Sequence, residues 1–239
     1  MDKKNIYTEY FYNQYSNNTD YKKYYLITCK QINRTVWDIF KYYNKKVKIL
    51  DLWCWFWWFA NYCKLNWFSN YTWVDLSKDE LSIAKKNFPN YKFIYDDIFE
   101  SLKSDQNNYD IIYMSMVFEH FELNQCPILI KEIYKKLNKN WVFINYQPNA
   151  DSYFNSCSTL YIDITHERLW NRDSYLQLIK TLKLENYKIN FRNSYIWWNV
   201  FWNLLHKSIK KLFELFLLLM WYNKKYIYTK SFYSILYKK

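Results

Sequence analysis

The chain has 239 residues, a net charge of +12 and 24% aromatic residues, yet it holds 13 tryptophans and no glycine. Its five cysteines, at 29, 54, 63, 126 and 157, are odd in number and form no C-x-x-C pair, which argues against zinc and against a disulfide framework. No signal peptide is visible and no run of 18 apolar residues is present to span a bilayer, so a reducing, cytoplasmic setting is expected.

Glycine usually makes up about 7% of a chain, so roughly 17 are missing here. Turns and helix ends need residues that accept positive φ cheaply. The tryptophans fall at such places, as the chain order shows below. A gene whose UGA codons mean glycine gives this pattern when those codons are read as tryptophan. The positive charge has a plain source, because Lys, Asn, Ile, Tyr and Phe dominate and all have AT-rich codons. No block of five or six like charges points to nucleic acid.

Residues 1–45 read as an N-terminal helical cap, with a helix over Tyr24–Tyr43 that packs beside a sheet or covers a cleft. Strand and helix patterns then alternate. Strands are predicted at 47–52, 71–76, 91–95, 109–114 and 142–146. Helices are predicted at 56–66, from Ser77 to Asn87, and at 124–137. Ser77 and Glu80 form a capping-box pattern, and Pro89 follows the helix end. LNKNW at 137–141 reads as a turn. Residues 150–170 form a long connection of the kind that serves as a lid. A helix at 172–184, a strand at 187–193, an amphipathic helix at 199–221 and a closing strand at 226–237 complete the chain. This order predicts an α/β fold: a doubly wound, mostly parallel sheet, helices on both faces and an antiparallel C-terminal strand. The core is placed at 46–196, with 197–239 completing the same domain. In such sheets ligands bind at the carboxyl ends of the strands.

The most informative stretch is VKILDLWCWFWW at 47–58. With glycine at 53, 55 and 57 it becomes D-x-G-x-G-x-G, a loop that turns tightly and lets a ligand approach the backbone. Positions 53, 55 and 58 also satisfy the dinucleotide pattern, which keeps an NAD-dependent oxidoreductase as the alternative. Asp51 disfavours it, because an acid there repels a pyrophosphate and attracts a cationic ammonium. Asp75, at the end of strand two, suits a pair of ribose hydroxyls. Asp97 and the backbone N–H of Ile98, after strand three, suit an adenine edge.

Six segments in order then resemble the class I S-adenosylmethionine-dependent methyltransferases, in the small-molecule group of types 11, 12 and 23. They are VKILDLWCWFWWFA, WVDLS at 73–77, FIYDDIF at 93–99, YDIIYMSMVFEHF at 109–121, IKEIYKKLNKNWVFINYQPN at 130–149 and DITHERLWNRDSYLQLI at 163–179. The resemblance implies a Rossmann-like methyltransferase fold and S-adenosylmethionine as cofactor. It implies a cofactor site at Asp51, Trp53, Trp55, Trp57, Asp75, Leu76, Asp97, Ile98 and Ser115. Trp53, Trp55, Trp57, Trp67, Trp73 and Trp141 sit where the family favours glycine, whereas Trp170 matches an aromatic position.

The expected reaction is methyl transfer to a small-molecule O- or N-nucleophile, such as a sugar, a lipid-linked or a quinone-type acceptor. Proximity and orientation supply most of the acceleration. His120 is the candidate base, and His166 the second; Glu119-His120 as a loop-shaping pair is the structural alternative. No metal is expected. The segment Ser115-Met116-Val117-Phe118 lacks the Pro-Pro-aromatic run of nucleic-acid base methylation, so a nucleic-acid partner, or a non-catalytic binding protein, is the lesser expectation. The 199–221 helix is expected to pack on the sheet edge or close a dimer, with peripheral membrane contact as the alternative.

Overall fold

The computed structural model describes residues 21–54, 58–152, 156–194, 208–209, 211–212, 215–216 and 229–239. Trp55, Trp57 and most of the 199–221 segment lie outside them. Among the described residues the strands are β1 Ile49–Cys54, β2 Tyr71–Asp75, β3 Lys92–Tyr95, β4 Tyr109–Ser115, β5 Leu137–Pro148, β6 Tyr187–Asn193 and β7 Ser231–Lys238. The helices are α1 Tyr21–Phe40, α2 Trp58–Leu65, α3 Lys78–Asn87, α4 Ile98–Ser104, α5 Gln125–Lys136, α6 Ser156–Tyr161 and α7 Arg172–Thr181.

The seven strands form one sheet in the order β3-β2-β1-β4-β5-β7-β6. β1 pairs in parallel with both β2 and β4, and β7 runs antiparallel between β5 and β6. The predicted fold class is thus the observed one. Alternation along the strands sends side chains to two cores. Ile49, Ile111, Tyr113, Val142 and Ile144 face α1, α2 and α3, while Leu50, Leu52, Ile112, Met114 and Phe143 face α4, α5 and α7. Helix α1 is docked by Ile32, Val36, Ile39 and Phe40. Arg192 on β6 ties it down, donating to the Thr35 carbonyl at 2.6 Å and to Asp38 Oδ2 at 2.9 Å.

Local signals explain the element ends. Ser77 caps α3 by accepting from the Glu80 N–H at 3.2 Å, as its capping pattern predicts. Asn171 caps α7 in a reciprocal pair with Ser174. The end of α2 is a Schellman motif: the Phe68 N–H bonds Cys63 O at 3.0 Å and the Trp67 N–H bonds Lys64 O at 3.1 Å. Trp67 occupies the left-handed position at φ 64°, with its side chain 82% exposed. Glycine is the residue this position favours.

Two expectations are corrected. LNKNW is not a turn before β5 but part of it. Residues 138–141 bulge against Asp110, between the Tyr109–Leu137 and Ile111–Val142 pairs. The left-handed residue there is Asn140, at φ 67°, and not Trp141, which packs on Tyr43 at 4.6 Å between ring centroids. Trp73 lies inside β2, fully buried against Phe93, where the backbone places no demand for glycine.

Because Trp67 gains nothing from burial, Trp67→Gly should stabilise the chain by about 1 kcal/mol through relief of the left-handed strain. For a domain of this size that is a rise in Tm of roughly 2–4 °C. Scanning calorimetry of the two proteins checks it, and an unchanged or lowered Tm refutes the strain argument.

Candidate active site

The sheet order reverses between β1 and β4, the switch point beside which such sheets bind ligands, outside the carboxyl ends of the strands. Two left-handed residues mark this end: Trp53, bulged inside β1 before the Cys54–Ser115 pair, has φ 60°, and Met116, just after β4, has φ 54°. For a bulky side chain such a backbone is a genuine outlier. The Trp53 indole stacks on the His120 ring, with centroids 6.2 Å apart and planes at 19°.

Three acids, in β1, at the end of β2 and at the start of α4, lie on one half of this end of the sheet. Asp51 is fully buried in β1 and accepts a hydrogen bond from the Tyr71 hydroxyl. Asp75 ends β2, 3% exposed, and its Oδ1 accepts from the Ser77 N–H at 2.8 Å. Burial pushes the Asp75 carboxyl up to about 8, with the charges of Glu80 and Asp51 adding to it. Leu76 follows, half-buried. The Asp96 N–H bonds the Asp75 carbonyl at 3.2 Å and so holds the ends of β2 and β3 together. Asp97 caps α4: its Oδ1 accepts from the N–H groups of Phe99 at 2.8 Å and Glu100 at 3.4 Å. Ile98 is the first residue of that helix, where the backbone N–H has no acceptor within the helix itself. Ser115 closes β4, buried, and pairs with Cys54 and Tyr146 across the sheet.

The opposite half is built from a 3-10 turn, Phe118–His120, and the loop after α6. The Glu119 carbonyl accepts from the N–H groups of Glu167 at 2.8 Å and Arg168 at 3.3 Å, which fastens the two segments. The His120 and His166 rings are thereby brought to 4.6 Å between centroids. His120 Nδ1 lies 3.0 Å from Thr165 Oγ1, which donates to Asp163 Oδ1 at 2.6 Å. His166 Nδ1 lies 2.7 Å from the Thr159 carbonyl. Glu119 is 1% exposed, and burial, then the charge of Asp163, raises its carboxyl to about 8. Thr165 and Met116 carried no role in the sequence reading. Only the contacts of the folded chain single them out, since neither residue type announces its backbone or its partner.

The family model of a methyltransferase domain matches residues 28–195. The chain belongs to this family, the class I methyltransferases, whose methyl donor is S-adenosylmethionine. That membership displaces the oxidoreductase alternative. A methyltransferase from Archaeoglobus fulgidus, described as SAM-dependent, is similar in structure at TM-score 0.65 and 19% identity, over 96% of this chain and 98% of that one. The plantazolicin methyltransferase BpumL, solved with SAH, is similar at TM-score 0.63 and 17% identity, over 95% and 88%. The methyltransferase domain of bacterial CtHen1-C follows at TM-score 0.59 and 15% identity, over 89% and 98%. At these identities the likeness is one of fold. No curated protein matches by sequence.

The raised Asp75 gives a pH signature. The folded chain holds this proton up to about pH 8, whereas the unfolded chain releases it near 4. Folded protein therefore binds more protons across that window, and stability falls as pH rises through it. Asp75→Asn mimics the protonated acid and should flatten this part of the profile. Tm measured from pH 4 to pH 8 checks it; identical slopes in both proteins would remove Asp75 as the cause.

Proposed function

We propose that this protein transfers the methyl group of S-adenosylmethionine to the oxygen or nitrogen of a small-molecule acceptor. The observation that carries the reading is the switch point between β1 and β4, with buried acids on one side and the His120–His166 pair on the other. On this reading Asp51 attracts the donor's ammonium, Asp75 accepts from its ribose, and Asp97 and Ile98 meet its adenine. The histidine pair serves the acceptor's proton. The acceptor's lone pair attacks the sulfonium methyl in line, the carbon–sulfur bond breaks, and S-adenosylhomocysteine leaves.

The same reading holds that the functional loop carries glycine at positions 53, 55 and 57. Support comes from the left-handed backbone at Trp53 and Trp67. Further support comes from the Trp53 indole lying against His120, beside the space a donor's methionine end would need. The triple variant Trp53→Gly, Trp55→Gly, Trp57→Gly should bind S-adenosylmethionine at least about a hundredfold more tightly than the chain as written, a difference of about 2.8 kcal/mol. Isothermal calorimetry measures it. Equal affinities, or UGG codons at these positions in the gene, sink the recoding idea. Absence of donor binding in both proteins sinks the methyl-transfer reading.

A second reading concerns the segment at 199–221. Among its described residues Ile209, Leu212, Leu215 and Phe216 are each more than half exposed, beside an exposed Lys211. Apolar residues exposed on a helix beside lysine favour peripheral contact with an anionic membrane over packing on the sheet edge. No helix among the described residues is long and apolar enough to cross a membrane. Co-sedimentation with phosphatidylserine vesicles should capture the intact chain and lose it when all four apolar residues become serine. Equal capture of both proteins rules this contact out.

A further inference from the structure

Methyl transfer leaves Glu119 without a task. Its carboxyl group is 1% exposed, and its Oε2 has no hydrogen-bond partner. A buried polar atom in that state is costly and calls for a physical reason. Glu119, His120 and His166 each offer one donor atom, and these atoms all lie within 4.8 Å of one another.

The surroundings decide which histidine nitrogens carry the proton. The Thr159 carbonyl can only accept, so His166 Nδ1 carries the proton and Nε2 keeps its lone pair. Thr165 gives its own hydrogen to Asp163, so its oxygen can only accept from His120, and His120 Nδ1 carries the proton as well. Both rings are held in the tautomer that leaves Nε2 as a ligand. Metal-bound histidines are oriented by this kind of outer hydrogen bond, to a carbonyl on one ring and through a hydroxyl to a carboxylate on the other.

We infer that Glu119, His120 and His166 bind a divalent cation beside the switch point. Two imidazoles and one carboxylate select Zn(II), Mn(II), Fe(II) or Co(II) over the all-oxygen preference of Mg(II). Donors around zinc sit about 2.0–2.2 Å from the ion, hence roughly 3.4 Å apart, so binding draws the widest pair inward by about an ångström. Three protein ligands leave a coordination position open for the acceptor. This inference rests on the methyl-transfer reading for its chemistry. An acceptor hydroxyl on the cation becomes more acidic and releases its proton to water. The resulting oxyanion forms the new carbon–oxygen bond as the carbon–sulfur pair passes to sulfur. The histidines then act as ligands, and the ion replaces the base.

The test is binding of cobalt(II) to the chelator-stripped full chain, without donor or acceptor. One equivalent should bind, with a visible d–d absorption band, and zinc or manganese should displace it while magnesium should not. Glu119→Gln and His166→Ala should each weaken binding at least a hundredfold with circular dichroism unchanged. Thr165→Val, which removes only the outer hydrogen bond, should weaken it about 10–100-fold. Cys157→Ser, at an exposed thiol, should bind as before. Binding that survives Glu119→Gln combined with His166→Ala, or no binding below millimolar cobalt, overturns the site. Donor affinity measured by calorimetry without the ion tests the methyl-transfer reading separately.

Discussion

The structure depends on how two parallel neighbours end at the same place. β1 and β4 pair from Ile49–Ile111 to Cys54–Ser115 with Trp53 bulged out of the ladder, and two left-handed residues mark this end, Trp53 just before the last rung and Met116 just after it. A left-handed residue reverses the chain within one step. β1 is followed by α2, packed on one face of the sheet, and β4 by the 3-10 turn, packed on the other. Asp51, Asp75, Asp97, His120 and His166 come from the strands and connections around this end, because a buried sheet has only its strand ends to offer a ligand.

The two sides of this end use burial differently. On one side, Asp51 lies within β1 and Asp75 ends β2, and both carboxyls are buried away from water. Burial raises Asp75 by disfavouring its charged form, which makes this side a region that a cation stabilises. On the other side, the backbone bonds from Glu167 and Arg168 to the Glu119 carbonyl hold two distant segments together.

Much of this was legible in the chain. Hydrophobic periodicity places β1 to β4, β6, α3 and α5 within a few residues of their observed ends. Ser77 marks its helix start through a hydroxyl whose only local task is an N-cap. Asp51, Asp75 and Asp97 were readable because an acid after an apolar strand has few structural reasons to be there. The bulge in β5 was not legible, because a bulge depends on what lies across the sheet, here Asp110 beside Tyr109. Asp97 also serves as a helix cap, a role its sequence context did not separate from ligand contact. The histidine tautomers were beyond reach, since they are set by Thr159 and Thr165, whose proximity arises only when the loop after α6 folds onto Glu119.

Glycine and tryptophan are the two extremes of side-chain size, and this backbone tells them apart at individual positions. Trp53 and Trp67 hold conformations that any Cβ disfavours. Trp58 opens a helix, Trp73 fills a core and Trp141 stacks on Tyr43, and none of the three has positive φ. Trp170 is buried against Phe118 and Tyr175 with the Arg168 guanidinium over its ring, the setting of an aromatic that belongs there. A single recoding event would act on codons without regard to these differences. The backbone argument is therefore strongest where it is local, at the bulge of β1 and the cap of α2. Of those two, the bulge of β1 is the one that sets an indole against the His120 ring.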